Sequence, residues 1–144
     1  MTTVAFHFNV PDRLVYTCRL LRKAIAGRAR LIVTGSADTL KLLDQDLWAF
    51  SATGFLPHCG NDANTMVIRR SPVLLVESIW VVPHHDILVN LGDLIPEGFQ
   101  QFDRVIEVVG KDVDERHAAR LRWKQYLNSG FDLIRHDFDQ KAIV

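Results

Sequence analysis

The 144-residue chain has few cysteines and no excess of either charge. Each of these features argues against a class of protein. Cys18 and Cys59 are too few for a disulfide framework, so a reducing cytoplasm is the expected location. Seventeen basic residues balance seventeen acidic ones, which argues against a general binder of polyanions. The sequence also lacks the ~20-residue apolar run of a membrane span and the basic and apolar segments of a signal peptide.

What the sequence does contain is typical of a globular protein. Hydrophobic residues make up 48% of the chain and charged residues 24%, enough for a packed core with a soluble surface. No repeat, low-complexity segment or linker divides the chain. We therefore expect residues 1–144 to form a single domain.

Short apolar runs alternate with helical patterns, which predicts an α/β fold. One helix follows Asp12 and stops at Gly27, a second follows Ser36, and a third begins at Asp112 or Asp114 and ends near Gly130. Strands are predicted at 2–8, 30–34, 65–70, 72–82, 86–92 and 103–109, with a loop at 51–64. The inward positions of the second helix are predicted to be Ala37, Leu40, Leu43 and Leu47. The predicted architecture is three-layered, a mainly parallel sheet flanked by helices, similar to a mononucleotide-binding (Rossmann-like) fold.

The turn Thr34-Gly35-Ser36 connects a predicted strand to a helix, the position at which nucleotide-binding proteins hold phosphate. Neither GxGxxG nor GxxxxGK[ST] is present, so an ordinary turn is the favoured interpretation. A nucleotide-binding enzyme that uses this turn remains the alternative hypothesis.

Metal-ligating residue types occur at His58, Cys59, His84, His85 and Asp86. Their spacing fits no zinc motif, and adjacent histidines point apart on an extended chain. No nucleophile elbow is present either. We expect polar loop histidines, with no metal, cofactor or catalytic residue.

The last predicted helix presents a row of cations beside an aromatic side chain. Arg116, Arg120 and Lys124 span a stripe about 80° wide, with Trp123 and Leu127 beside it. Arg122 is expected on the far side of the helix, in solvent. The row, called the basic ladder below, is interpreted either as a solvated face or as a site for an acidic peptide with an aromatic end. Direct binding of nucleic acid by this helix is a third hypothesis.

Three aromatic residues, Trp48, Phe50 and Phe55, lie within eight positions of the end of the second helix. Part of this group must cover Leu47 and its helix. Exposed aromatics also anchor protein partners, so core and interface remain equally open.

Taken together, "LLDQDLWAFSATGFLPH", "DILVNLGDLIPEGFQQFDRVIEVV" and "RLRWKQYLNSGFDL" resemble the chi subunit of bacterial DNA polymerase III. The resemblance extends from about Leu42 onward and includes the "YxxxGF" ending of the last helix. It implies a non-enzymatic accessory subunit of the clamp-loader complex, with an α/β fold like that of nucleotide-binding domains. It also implies two partners, the acidic, phenylalanine-ended tail of single-stranded-DNA-binding protein and the psi subunit.

The resemblance places both partners on this sequence. The tail site falls on the final helix, at Arg116, Arg120, Trp123, Lys124 and Leu127. The psi-binding surface falls on Trp48, Phe55 and Pro57. No direct contact with nucleic acid or membrane is implied.

Overall fold

The computed structural model describes residues 2–50, 58–60, 72–80 and 82–138, with the backbone alone for 48–50 and 58–60. Three α-helices lie at Arg13–Ala26 (α1), Ala37–Phe50 (α2) and Val113–Asn128 (α3) within these ranges. A short 3-10 helix lies at Phe99–Gln101. The strands are Thr3–Val10 (β1), Leu31–Thr34 (β2), His58–Gly60 (β3), Val73–Val76 (β4), Ile87–Asn90 (β5), Arg104–Gly110 (β6) and Asp132–Asp137 (β7).

The strands form one sheet in the order β3-β4-β2-β5-β6-β1-β7. Each of its six pairings is parallel. Parallel neighbours need a crossover between them, which is why helices and strands alternate along the sequence. The predicted α/β class and the mainly parallel sheet are confirmed.

Both faces of the sheet are covered, as expected for parallel strands. Leu31 and Val33 of β2 join a core with α1 and α2, whereas Ile32 between them joins a second core with α3. Side chains alternate across a strand, so each short apolar run supplies both cores. The three-layer prediction is therefore confirmed, with α1 and α2 on one face and α3 on the other.

The predicted helix starts are confirmed. Asp12 and Asp112 cap α1 and α3 through their carboxylates, and the Ser36 hydroxyl accepts from the Thr39 N–H at 3.2 Å. The expected burial of Ala37 is wrong, because this residue lies in the exposed first turn of α2. Leu40, Leu43 and Leu47 are buried as predicted.

The strand predictions needed three corrections. The expected loop at 51–64 contains β3, and the strand expected at 72–82 is confined to Val73–Val76. β7 was not predicted at all, although it pairs with β1 along its whole length. The strand predicted at 65–70 lies outside the described residues. No helix in the described part of the chain is long and apolar enough to cross a membrane.

Candidate functional site

A cleft of about 530 Å³ lies between α3 and the neighbouring strands β1 and β7. Its position follows from the sheet order, because β1 and β7 are the last two strands at this edge and α3 packs on their face. Ten residues line it: Phe8, Asn9, Arg116, His117, Arg120, Leu121, Trp123, Lys124, Arg135 and Asp137. The cleft therefore has a helix wall and a strand wall.

The basic ladder forms the helix wall. Arg116 is half-buried, and Arg120 and Lys124 are exposed. None of the three has an ion-pair partner among the residues that the structure describes. Cations spaced four residues apart on one helix face repel one another unless an anion lies between them. The wall is therefore suited to a carboxylate-bearing ligand.

Aromatic rings form the floor. Trp123 packs edge-to-face on the buried Phe6, with ring centroids 5.2 Å apart, and lies 6.2 Å from Phe8. These contacts leave Trp123 half-buried, so the ring is fixed rather than free in solvent. A rigid aromatic surface beside cations can hold an apolar side chain without losing much conformational entropy.

The strand wall consists of Asn9 of β1 and of Arg135 and Asp137 of β7. These residues are not predicted from the sequence, because β7 is not predicted. Arg135 of β7 lies over the ring of Phe8, with its Cζ 5.5 Å from the ring centroid. Its Nη2 donates to Asp137 at 3.2 Å, and Asn9 Nδ2 donates to the other oxygen of that carboxylate at 2.9 Å. Asn9 adopts a φ of 58° where the β1–β6 register shifts, a left-handed conformation that asparagine tolerates. In "FDLIRHD" the apolar residues Phe131, Leu133 and Ile134 do not alternate regularly with polar ones, so the sequence signal for this strand is weak.

Four of the five residues expected on the final helix line the cleft together. Leu127 does not: it lies one turn further along α3 with 57% of its surface exposed. Leu121 and His117 line the cleft instead, at positions the stripe argument did not select.

Arg122 is buried, with only 5% of its surface exposed, and the expectation that it faces solvent is wrong. Its Nε donates to Glu107 Oε1 at 3.1 Å and its Nη1 to the carbonyl of Asp93 at 2.9 Å. Asn90 Nδ2 and the Tyr126 hydroxyl donate to the same carboxylate. Burial raises the pKa of Glu107, and the Arg122 guanidinium opposes that shift. This network fastens α3 to the sheet on the side opposite the basic ladder.

The turn considered for nucleotide binding is packed against another loop. A Cβ added at Gly35 would lie 3.3 Å from Leu91 Cβ and 3.7 Å from the Gly92 nitrogen. Open α/β sheets bind ligands at the carboxyl ends of strands whose connections diverge, and β2 and β5 are such neighbours here. Here the Gly35 turn packs against the Leu91-Gly92 loop, and the Ser36 hydroxyl is used as a helix cap.

Of the residues considered as metal ligands, His84, His85 and Asp86 are described with their side chains. The His85 ring packs on Phe102 at 5.3 Å, Asp86 pairs with Arg30 at 3.1 Å, and His84 is buried. No group of three ligating residues occurs within the described ranges. The side chains of His58 and Cys59 lie outside those ranges.

Of the residues expected to bind psi, only the backbone of Trp48 lies within the described residues. Trp48 lies on the last turn of α2, but its side chain is outside the described residues. Phe55 and Pro57 lie outside them entirely. The position of this surface remains a prediction from the sequence.

Comparison with known proteins identifies the relatives of the chain. The family model described as DNA polymerase III chi subunit, HolC, matches residues 1–134. The DNA polymerase III subunit chi of Pseudomonas aeruginosa is 30% identical over 142 residues, which cover 94% of this chain and 96% of that protein. The subunit chi of Haemophilus influenzae is 29% identical over 112 residues, covering 75% of this chain and 74% of that protein.

A solved structure shares the fold. The C-terminal domain of the DEAD-box protein Dbp5 superimposes with a TM-score of 0.57 at 15% identity, covering 96% of this chain and 91% of that one. At this identity the match concerns the fold alone, a parallel α/β sheet with helices on both faces.

Proposed function

The chain belongs to the DNA polymerase III chi subunit family, and from this we propose that it links single-stranded-DNA-binding protein to the clamp loader during DNA replication. In this proposal the cleft binds the acidic C-terminal tail of single-stranded-DNA-binding protein. A second surface, at Trp48, Phe55 and Pro57, binds the psi subunit. The chain has no catalytic role, cofactor or metal, works in the cytoplasm, and contacts neither nucleic acid nor membrane directly.

One observation carries the tail-binding part of the proposal. The cleft places the cations of the basic ladder, which have no ion-pair partner within the described ranges, beside the fixed ring of Trp123. A peptide that ends in phenylalanine brings a ring and a carboxylate on the same residue, so the two meet the floor and the wall together. Leu127 is proposed to extend the site with an apolar contact just beyond the cleft.

The net charge of the chain supports a peptide rather than a nucleic acid as the ligand. The three cations of the ladder occupy one turn-spaced row, and the chain as a whole carries no excess positive charge. Nucleic-acid binding gains most of its affinity from many phosphate contacts, which needs a broad basic surface. A short acidic tail needs only a local one.

Isothermal titration separates the candidate functions. A short acidic peptide with a free C-terminal phenylalanine, a nucleotide and single-stranded DNA are each titrated into the same protein. We expect heat of binding with the peptide alone, and less binding when its terminal carboxylate is amidated. Equal binding of the amidated peptide would contradict the proposed role of the ladder, and binding of nucleotide alone would favour the enzyme hypothesis.

The psi-binding surface is proposed from the family resemblance only. Interface aromatics typically contribute about 2 kcal/mol or more each when truncated. Titration with psi, comparing the unmodified chain with the Phe55→Ala variant, tests this surface independently of the cleft.

We also propose that residues 1–144 form a single domain. The sheet draws its strands from Thr3 to Asp137, and its first and last strands pair with each other. A chain whose first and last strands pair within one sheet should unfold in one cooperative step. Coincident denaturation curves from circular dichroism and tryptophan fluorescence would support the proposal, and separated midpoints would contradict it.

A further inference from the structure

The strand wall carries a cation of its own, opposite the basic ladder. Arg135 keeps 60% of its side chain exposed, yet its guanidinium is held over Phe8 and against Asp137. The Asp137 side chain is only 10% exposed and is fixed in turn by Asn9. Arg135 is therefore positioned before any ligand arrives, which lowers the entropy cost of using it.

Most of the N–H donors of the Arg135 guanidinium make no hydrogen bond to the described residues. Among the described residues its side chain makes one hydrogen bond, from Nη2 to Asp137. A guanidinium has five N–H donors arranged in a planar fork, so the remaining donors can meet a carboxylate from a ligand. The carboxylate of Asp137 cancels part of the charge but leaves this fork in place.

We propose that Arg135 is a specificity residue of the cleft, and that it binds a side-chain carboxylate of the acidic peptide while the basic ladder binds the terminal carboxylate. This inference rests on the proposed function. Phe8 lies below Arg135 and Trp123 lies beside the ladder, so the aromatic floor separates the two cationic walls. A peptide ring on that floor leaves one acidic group directed to each wall.

The ligand is thus a peptide in which an aromatic C-terminal residue follows at least one aspartate or glutamate. Asp137 acts as a positioning residue, because it orients the Arg135 fork and does not itself favour an anion. The two residues lie two positions apart on the strand β7, so the strand backbone fixes their relative position.

Two peptides and two proteins test the role of Arg135. One peptide ends in a free phenylalanine preceded by aspartates, and the other has asparagines in place of the aspartates. The unmodified chain and the Arg135→Gln variant are titrated with both. We expect Arg135→Gln to lower the affinity for the aspartate peptide by about threefold to fivefold. The affinity for the asparagine peptide should hardly change.

Matched variants separate charge from position. Arg19→Gln removes an exposed cation from α1, on the other face of the sheet, and should leave both affinities unchanged. Asp137→Asn raises the net charge by one, so charge alone predicts tighter binding of both peptides and a larger gain for the more negative aspartate peptide. Positioning predicts instead that the preference for aspartate over asparagine becomes smaller.

Each outcome has a distinct meaning. If the unmodified chain binds neither peptide, the proposed function fails. If it binds both but Arg135→Gln weakens them equally, or not at all, the function stands and the role of Arg135 is wrong. If Asp137→Asn leaves the preference for the aspartate peptide unchanged or enlarges it, Asp137 acts through its charge and the positioning role is wrong.

Discussion

Replacing the buried Arg122 should destabilise the protein far more than replacing an exposed cation on the same helix. The side chains of Arg122 and Glu107 are 6% and 0% exposed, and their Nη2 and Oε1 atoms are 3.1 Å apart. Removing one partner of such a pair leaves an uncompensated buried charge, at a cost of about 3–5 kcal/mol. Domains of this size are stable by only ~5–15 kcal/mol, so Arg122→Met should remove a large part of the total.

Chemical and thermal denaturation measure the effect. A loss of about 3–5 kcal/mol corresponds to a fall in Tm of roughly 6–20 °C for a chain of this length. Arg120→Met is the matched control, because Arg120 lies two residues earlier on α3 in the exposed ladder. Surface substitutions of this kind usually change stability by less than ~0.5 kcal/mol.

The two variants together test the reasoning. If Arg122→Met is no more destabilising than Arg120→Met, the ion pair with Glu107 does not fasten α3 to the sheet. If Arg122→Met also abolishes peptide binding while it remains folded, the network positions the cleft as well as stabilising the fold.

The other predictions concern the binding surfaces and the buried thiol. Arg120→Ala and Lys124→Ala should each lower the affinity for the acidic peptide severalfold in titrations at low salt. The loss should become smaller at higher salt, because salt screens the charge pairs between the ladder and the peptide. Trp123→Ala should weaken the same peptide at every salt concentration, because the contact that it removes is apolar. Phe55→Ala should reduce the affinity for psi by about 30-fold, the equivalent of ~2 kcal/mol, in a pull-down or titration. Burial raises the pKa of the Cys18 thiol from 9.0 to about 11, so a thiol reagent should modify it at pH 8 only after unfolding, in a chain whose other cysteine is serine.

The shifted pKa of Cys18 also sets the sign of a stability change. The folded thiol keeps its proton to a higher pH than the unfolded thiol, so the free energy of unfolding should fall as pH rises from about 9 toward 11. Denaturation midpoints of the unmodified chain and of Cys18→Ala, measured across that range, isolate this contribution. An identical pH dependence in the two proteins would contradict it.

Controls for the binding predictions follow from the structure. Arg122 is unsuitable as a neutral control for the ladder, since its loss affects the fold, whereas Arg19 on the other face of the sheet is suitable. Trp123 packs on Phe6, so its variant must be checked for folding first. A salt-independent loss in Lys124→Ala would mean that this residue acts through packing rather than charge.

Much of the fold could be predicted from the sequence, because its signals are local. Asp12, Ser36 and Asp112 cap the helices that they precede, since their side chains satisfy N–H groups only three residues away. The run Leu31-Ile32-Val33 had to be a strand with both faces buried. The basic ladder follows from the helical repeat alone, so its residues can be predicted without knowledge of what surrounds them.

Only the tertiary structure decided which side of α3 is inside and what faces the ladder. Apolar and polar residues are not segregated around this helix, so periodicity could not reveal that Arg122 is buried. Its burial depends on Glu107, fifteen residues earlier on β6, which is paired with it only because the helix packs on that strand. The strand wall at Arg135 and Asp137 likewise exists because β7 pairs with β1, more than a hundred residues away in the chain. Local patterns determine elements and their exposed stripes, whereas a buried charge pair and a two-walled cleft are created by contacts between distant segments.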